Sequence, residues 1–197
     1  MIESTYKRQL ETCDGMVNFQ IEIEPFNTAY SIYCRFLLNN VLMGEFEGVL
    51  LNCVAVKDWE HALKGSSQRK DFINFLQRRP KADLDILSRT RIFVLLHMEL
   101  KEAFRGKGLG VRILEKLIAD PSPNYSWDIA FGWARSYDLK CDKKRLNQTA
   151  AKILGHYMEH LPNCVQWTKR STFFLCAPGE FQAANASDLL KAIDSQG

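Results

Sequence analysis

The clearest periodic signal in the chain is Val17-Asn18-Phe19-Gln20-Ile21-Glu22-Ile23-Glu24, where apolar and polar residues alternate without exception. Period two sends alternate side chains to opposite sides of a strand, so this segment reads as a strand with one wet face, ended by Pro25. Ala29 to Leu38 reads as a second strand and Asn39-Asn40 as a turn. Phe46 to Val56 reads as a third strand, more apolar and so more deeply buried. Ahead of this meander, Ser4 to Cys13 is expected as a short helix stopped by Gly15.

The pattern then changes to a helical one. Asp58 is placed to cap a helix through Trp59, Ala62 and Leu63, interrupted by Gly65-Ser66-Ser67. A second helical piece carries Phe72, Phe75 and Leu76 on one face, and Arg79-Pro80 closes it. Ile92 to Leu100 is a central strand, and Val111 to Ile118 a helix ended by Pro121-Ser122-Pro123. Trp127 to Ala134 is another strand, Leu146 to Leu161 a helix, and Cys164 to Trp167 with Thr172 to Cys176 a closing strand pair. A last helix runs from Ser187, its cap, to Asp194. The order gives an α+β fold that opens on an antiparallel meander. No repeat, low-complexity tract or linker interrupts residues 1–197, so one domain is expected.

Composition narrows the classes. With 46% apolar and 25% charged residues over 197 positions, the chain can bury a core without metal or disulfide staples. The six cysteines are widely spaced, with no Cys-x-x-Cys and no His pair beside them, so zinc and redox motifs are not read and no metal is expected. Thiols in apolar runs suit a reducing, cytoplasmic setting. Glu3, Lys7, Arg8, Glu11 and Asp14 leave no signal peptide visible, and no apolar run approaches a membrane span. A net charge of +3 does not argue for nucleic acid. The local cluster Lys140, Lys143, Lys144 and Arg145 is a solvated helix entrance, a contact for nucleotide phosphates or a nucleic-acid surface.

The chemistry concentrates between the central strand and its helix, in Phe104-Arg105-Gly106-Lys107-Gly108-Leu109-Gly110. The first N–H groups of a helix lack intrahelical partners and lie at the positive end of its dipole. Glycines let an anion approach, and Arg105 and Lys107 add charge, so a phosphate or pyrophosphate is the natural guest. A Walker loop needs Ser or Thr after its Lys, where this chain has Gly108. A dinucleotide fingerprint needs Gly-x-Gly-x-x-Gly, and Gly106, Gly108 and Gly110 are spaced otherwise.

Arg105-Gly106-Lys107-Gly108-Leu109-Gly110 resembles the Arg/Gln-x-x-Gly-x-Gly/Ala motif of the GNAT superfamily of N-acetyltransferases, which holds the pyrophosphate of acetyl-coenzyme A. The order of elements from about Val17 to Cys176 is similar to that fold, which implies a GNAT-like mixed, mostly antiparallel central sheet flanked by helices, except that the family usually places its first two helices between the first and second strands. The resemblance implies acetyl-CoA as cosubstrate and direct transfer of the acetyl group from the thioester to a primary amine. It implies coenzyme contacts from Arg105, Gly106, Lys107, Gly108, Leu109, Gly110 and Val111, and pairing of the pantetheine arm with the backbone of Met98 and Leu100, where the central strand parts from the next.

The proton-transfer residues are less regular. Relatives often carry an acid nine residues before the motif arginine, a position held here by Leu96. His97 and Glu99 are the neighbouring candidates for the base, with alternation turning them away from Leu96, Met98 and Leu100. Inside such a strand Glu99 is expected to be desolvated, which would raise its pKa. The bland alternatives are a carboxylate reaching solvent or Arg105, and a hydrogen-bonded core histidine. The family's Asn-x-x-Ala-x-x-x-Tyr element is matched at Asn147 and Ala150 but has Leu154 in the Tyr position. Asn147 is implied as a coenzyme contact. Tyr157, one turn further, is a candidate acid for the departing thiolate or a core aromatic. A coenzyme A-responsive binding module without catalysis is the alternative. The acceptor is open between a small amine, a protein lysine, a peptide N-terminus and an aminoacyl group, and a homodimer is one assembly left open.

Overall fold

The structure, a computed structural model, describes residues 4–26, 29–59, 63, 73–74, 76–119, 125–134, 142–169, 171–179 and 181–196. The expected features at Ala62, Gly65-Ser66-Ser67, Phe72, Phe75, Pro121-Ser122-Pro123 and Lys140 lie outside them. Strands β1 (Ser4–Thr12), β2 (Gly15–Phe26), β3 (Ala29–Leu38) and β4 (Val41–Asn52) come first. They are followed by α1 (Lys81–Leu87), β5 (Arg91–Leu100), α2 (Leu109–Ala119), β6 (Ile129–Trp133) and α3 (Lys143–His160). The last elements are β7 (Val165–Gln166), β8 (Phe173–Cys176) and α4 (Ala186–Asp194). All eight strands form one sheet in the order β1-β2-β3-β4-β5-β6-β8-β7, antiparallel except where β5 meets β6. The fold is therefore α+β, as the pattern of elements indicated. No helix among the described residues is long and apolar enough to cross a membrane.

Several expectations need correction. Ser4 to Cys13 is not a helix. Its residues pair one by one with β2, from Ser4 opposite Ile23 to Thr12 opposite Gly15. Tyr6 and Leu10 share a helical spacing, but the neighbouring strand supplies the partner that decides the conformation. Charged Lys7, Arg8 and Glu11 suit a strand at the sheet edge. Strand β4 starts at Val41 rather than Phe46, because Asn39 and Asn40 both take positive φ (49° and 65°) and close a tight hairpin. Arg79-Pro80 does end a turn, with Arg79 N–H donating to Leu76 O at 2.8 Å, but Pro80 also begins α1, which was not anticipated. Helix α4 is capped by Asn185, whose side chain accepts from Asp188 N–H, not by Ser187.

Two apolar cores lie on the two faces of the sheet. One gathers Val17, Phe19, Phe36, Phe46, Phe93 and Leu95 under the apolar stripe of α2 and Leu154 of α3. The other packs Ile92, Val94, Leu96 and Phe131 with Trp59, Leu63, Leu87 and Leu189. The central strand thus feeds both cores, and the glycine loop leaves from its end.

Candidate functional site

Strand β5 changes character half-way. Ile92, Phe93 and Val94 pair with Ile129, Ala130 and Phe131 of β6, and there the parallel ladder stops. Both strands run on, β5 to Leu100 and β6 to Trp133, so the edge of β5 from Leu95 onward faces no strand among the described residues. The narrow end of this wedge is filled. A Cβ at Gly132 would lie 2.8 Å from the Phe174 ring and 3.3 Å from Leu95 Cβ.

On its other edge β5 carries a bulge. Glu47 of β4 pairs with His97 but Gly48 with Leu95, leaving Leu96 as the extra residue. The bulge corrects the expected alternation. Leu96 packs with Ile92 and Val94, whereas Met98 and Leu100 join the core of Phe93 and Leu95 beneath α2. Lys101 N–H donates to Met43 O (2.7 Å), toward β4. Backbone groups alternate along a strand, so those of Met98 and Leu100 point to the open edge. Leu100 O is there, accepting from Arg105 Nε at 2.6 Å.

Beyond Leu100 the chain makes one 3-10 turn, Glu102–Phe104, and enters the glycine loop. Gly106 and Gly108 take φ of +78° and +69°, conformations a side chain strains, and a Cβ at either would meet nothing within 4 Å. The first helical bond runs from Arg112 N–H to Gly108 O (3.3 Å), so the amides of Leu109, Gly110 and Val111 have no acceptor inside α2. Gly108 has no side chain to cap them. At α3, by contrast, Asp142 accepts from Arg145 N–H at 2.8 Å and fills its own helix start. Leu109 and Val111 are buried and anchor the loop, while Arg105, Gly106, Lys107 and Gly108 are exposed.

The loop's charges are engaged within the chain. Arg105 Nη2 lies 2.8 Å from Glu99 Oε1, and Glu99 Oε2 lies 3.7 Å from His97 Nε2. Glu99 is 55% exposed, so the burial expected to desolvate it is absent: a side chain at a strand end reaches water and Arg105 instead. His97 is partly exposed rather than a core histidine. Across the register, Glu45 faces Glu99 and accepts a hydrogen bond from the Tyr33 hydroxyl. That bond, with desolvation, pushes the Tyr33 phenol above its ordinary pKa. Sequence reasoning missed the β1–β2 hairpin as part of this site. Asp14 Oδ2 lies 3.3 Å from Lys107 Nζ, and Arg112 Nη2 donates to Glu11 O at 2.9 Å. Only a strand at the N-terminus, not the expected helix, brings those groups to the loop.

Of the residues expected on α3, Asn147 is exposed, and Ala150 and Leu154 are buried. Tyr157 stands edge-on to Phe174, with ring centroids 5.1 Å apart, and so reaches the ring that fills the narrow end of the wedge. A cavity of about 620 Å³ lies at the far end of β5 and β6, lined by Arg91, Trp127, Asp128 and Phe181 among others. It is separate from the loop, because β5 from Arg91 to Leu100 spans roughly 30 Å at 3.3 Å per residue. Its charges pair with one another, Arg91 with Asp128 and Arg89 with Asp194. No protein-family model matches the chain, and a search of curated proteins finds no match.

Proposed function

We propose that the chain is an acetyl-CoA-dependent N-acetyltransferase of GNAT type, acting in the cytoplasm on a primary amine. The observation that carries this reading is the wedge between β5 and β6 opening onto a glycine-rich helix start whose first amides have no acceptor inside the helix. An extended arm can add to the free edge of β5 through the backbone of Met98 and Leu100, as an extra strand would. Its pyrophosphate then meets the amides of Leu109, Gly110 and Val111, with Arg105 and Lys107 at hand. The amine attacks the thioester carbonyl, the C–N bond forms as the C–S bond breaks, and coenzyme A leaves as a thiolate. A free amine has a pKa of about 10.4, so a base is useful at neutral pH, and His97 with Glu99, 3.7 Å apart on the strand whose edge is open, is the candidate pair. Tyr157 is the candidate proton donor to the thiolate, and Asn147 a candidate coenzyme contact.

Acetyl-CoA should raise the melting temperature of the chain, and Gly108→Trp should abolish the shift, because the substituted ring would occupy the open space above the loop. No shift at millimolar acetyl-CoA would sink the proposal. A second reading, a coenzyme A-binding module without turnover, draws on the pairing of Glu99 with Arg105 and the packing of Tyr157 on Phe174. Thiol release measured over a broad panel of amines separates the two: turnover on any amine rejects the module.

A further inference from the structure

Near the end of α3, away from the glycine loop, stands a second cluster with its own chemistry. His156, Glu159 and His160 are all exposed, and one potential ligand atom from each lies within 4.8 Å of the other two. The helix brings them together, since positions i, i+3 and i+4 share a face. The two imidazoles stand 4.4 Å apart between centroids at 77°, and His160 Nε2 is 3.6 Å from Glu159 Oε2. Two donors on a tetrahedral ion with bonds of about 2.1 Å are roughly 3.4 Å apart. One pair is thus already near bonding separation, and exposed side chains close the remaining distance by rotation. The site also lies in the final turn of an 18-residue helix, where the dipole favours a cation.

We propose that His156, Glu159 and His160 form a mononuclear site for a divalent transition ion of zinc's class, with the remaining position open to water. Two imidazoles and one carboxylate select such an ion over Mg²⁺ or Ca²⁺, which take sets of oxygens. The bound ion ties the last turn of α3, the turn that holds Tyr157 against Phe174. The signal in the sequence is His156-x-x-Glu159-His160. The expectation of no metal was argued from the cysteines and passed over it.

The test is calorimetric titration of zinc chloride into the full chain, with magnesium chloride as the control. One zinc per chain is expected. His156→Ala and His160→Ala should each weaken binding at least about tenfold, since even groups that merely orient a metal ligand are worth that much. All three residues are exposed, so the variants should fold, which far-UV circular dichroism without metal checks. Exposed Cys13 and Cys53 are rival zinc ligands, and Cys13→Ser/Cys53→Ser should bind as the parent does. The proposal is overturned if zinc gives no saturable heat, if magnesium binds as tightly, or if the His156→Ala/His160→Ala double variant keeps its zinc affinity.

Discussion

The two halves of β5 are built from one strand but solve opposite problems. Over Ile92–Val94 it is paired on both edges, and Phe93 is buried beneath α2 and stacked on Trp127 at 4.9 Å. The Arg91–Asp128 ion pair closes that end. From Leu95 to Leu100 it is paired, among the described residues, only with β4, and its last residues carry exposed or partly exposed groups. The first half consumes its backbone bonds in making the sheet, and the second keeps some back. A free strand edge is ordinarily a hazard for association with other chains. Here the Arg105 guanidinium bonds Leu100 O, so one acceptor on that edge is already occupied.

Substitutions on the shared face test this contrast most severely. Phe93→Ala should cost about 3–5 kcal/mol, the range for removing a fully buried aromatic ring. Met98→Ala, on the same face but in the open half and only partly buried, should cost about 1 kcal/mol. Equal losses in chemical denaturation would mean that both halves are equally part of the core. Glu99→Gln comes next. If Glu99 supplies the base, kcat should fall about a hundredfold or more, while denaturation changes by less than about 1 kcal/mol because the Arg105 pair is exposed. Tighter coenzyme binding at unchanged kcat would show instead that Glu99 only tethers Arg105.

The smallest effect concerns a thiol beside the closed half. Cys176 lies opposite Ala130 and is fully buried, and desolvation, reinforced by the neighbouring Cys164 thiol, pushes its pKa well above the ordinary thiol value. In the unfolded chain it ionises above about pH 8.5, so the folded state then binds the additional proton. Its contribution is complete below that pH and is lost progressively as the pH rises above it. Denaturation at pH 8 and pH 10 should show this loss, and Cys176→Ala should shrink the difference.

Much of this architecture could be read directly from side-chain order. Alternation located β2, and the bounds Ala29–Leu38 were recovered entire, because each strand's pattern repeats locally. The loop and α2 were legible for the same reason: glycine spacing and an amphipathic stripe are properties of contiguous residues. What escaped depends on partners distant in sequence. β1 is a strand because β2 lies beside it, and the hold of Asp14 on Lys107 spans 93 residues. Glu99 looked buried because its neighbours are apolar, but a strand's last residues leave the core whatever their neighbours are. The bulge at Leu96 was the least visible, since an extra residue in an apolar run leaves the run apolar.

That extra residue changes the parity of the strand. Counting in twos from Phe93 reaches Leu95, His97 and Glu99, yet the residues that continue the α2 face are Met98 and Leu100. Even and odd positions exchange roles across Leu96. Were the bulge smoothed out with no residue lost, His97 and Glu99 would turn to that apolar face and Met98 and Leu100 away from it; a variant lacking Leu96 would keep Met98 and Leu100 where they are. Between Ile92 and Leu100 the strand therefore holds one residue more than its pairing with β4 uses, and removing that residue would straighten the ladder without exchanging its faces.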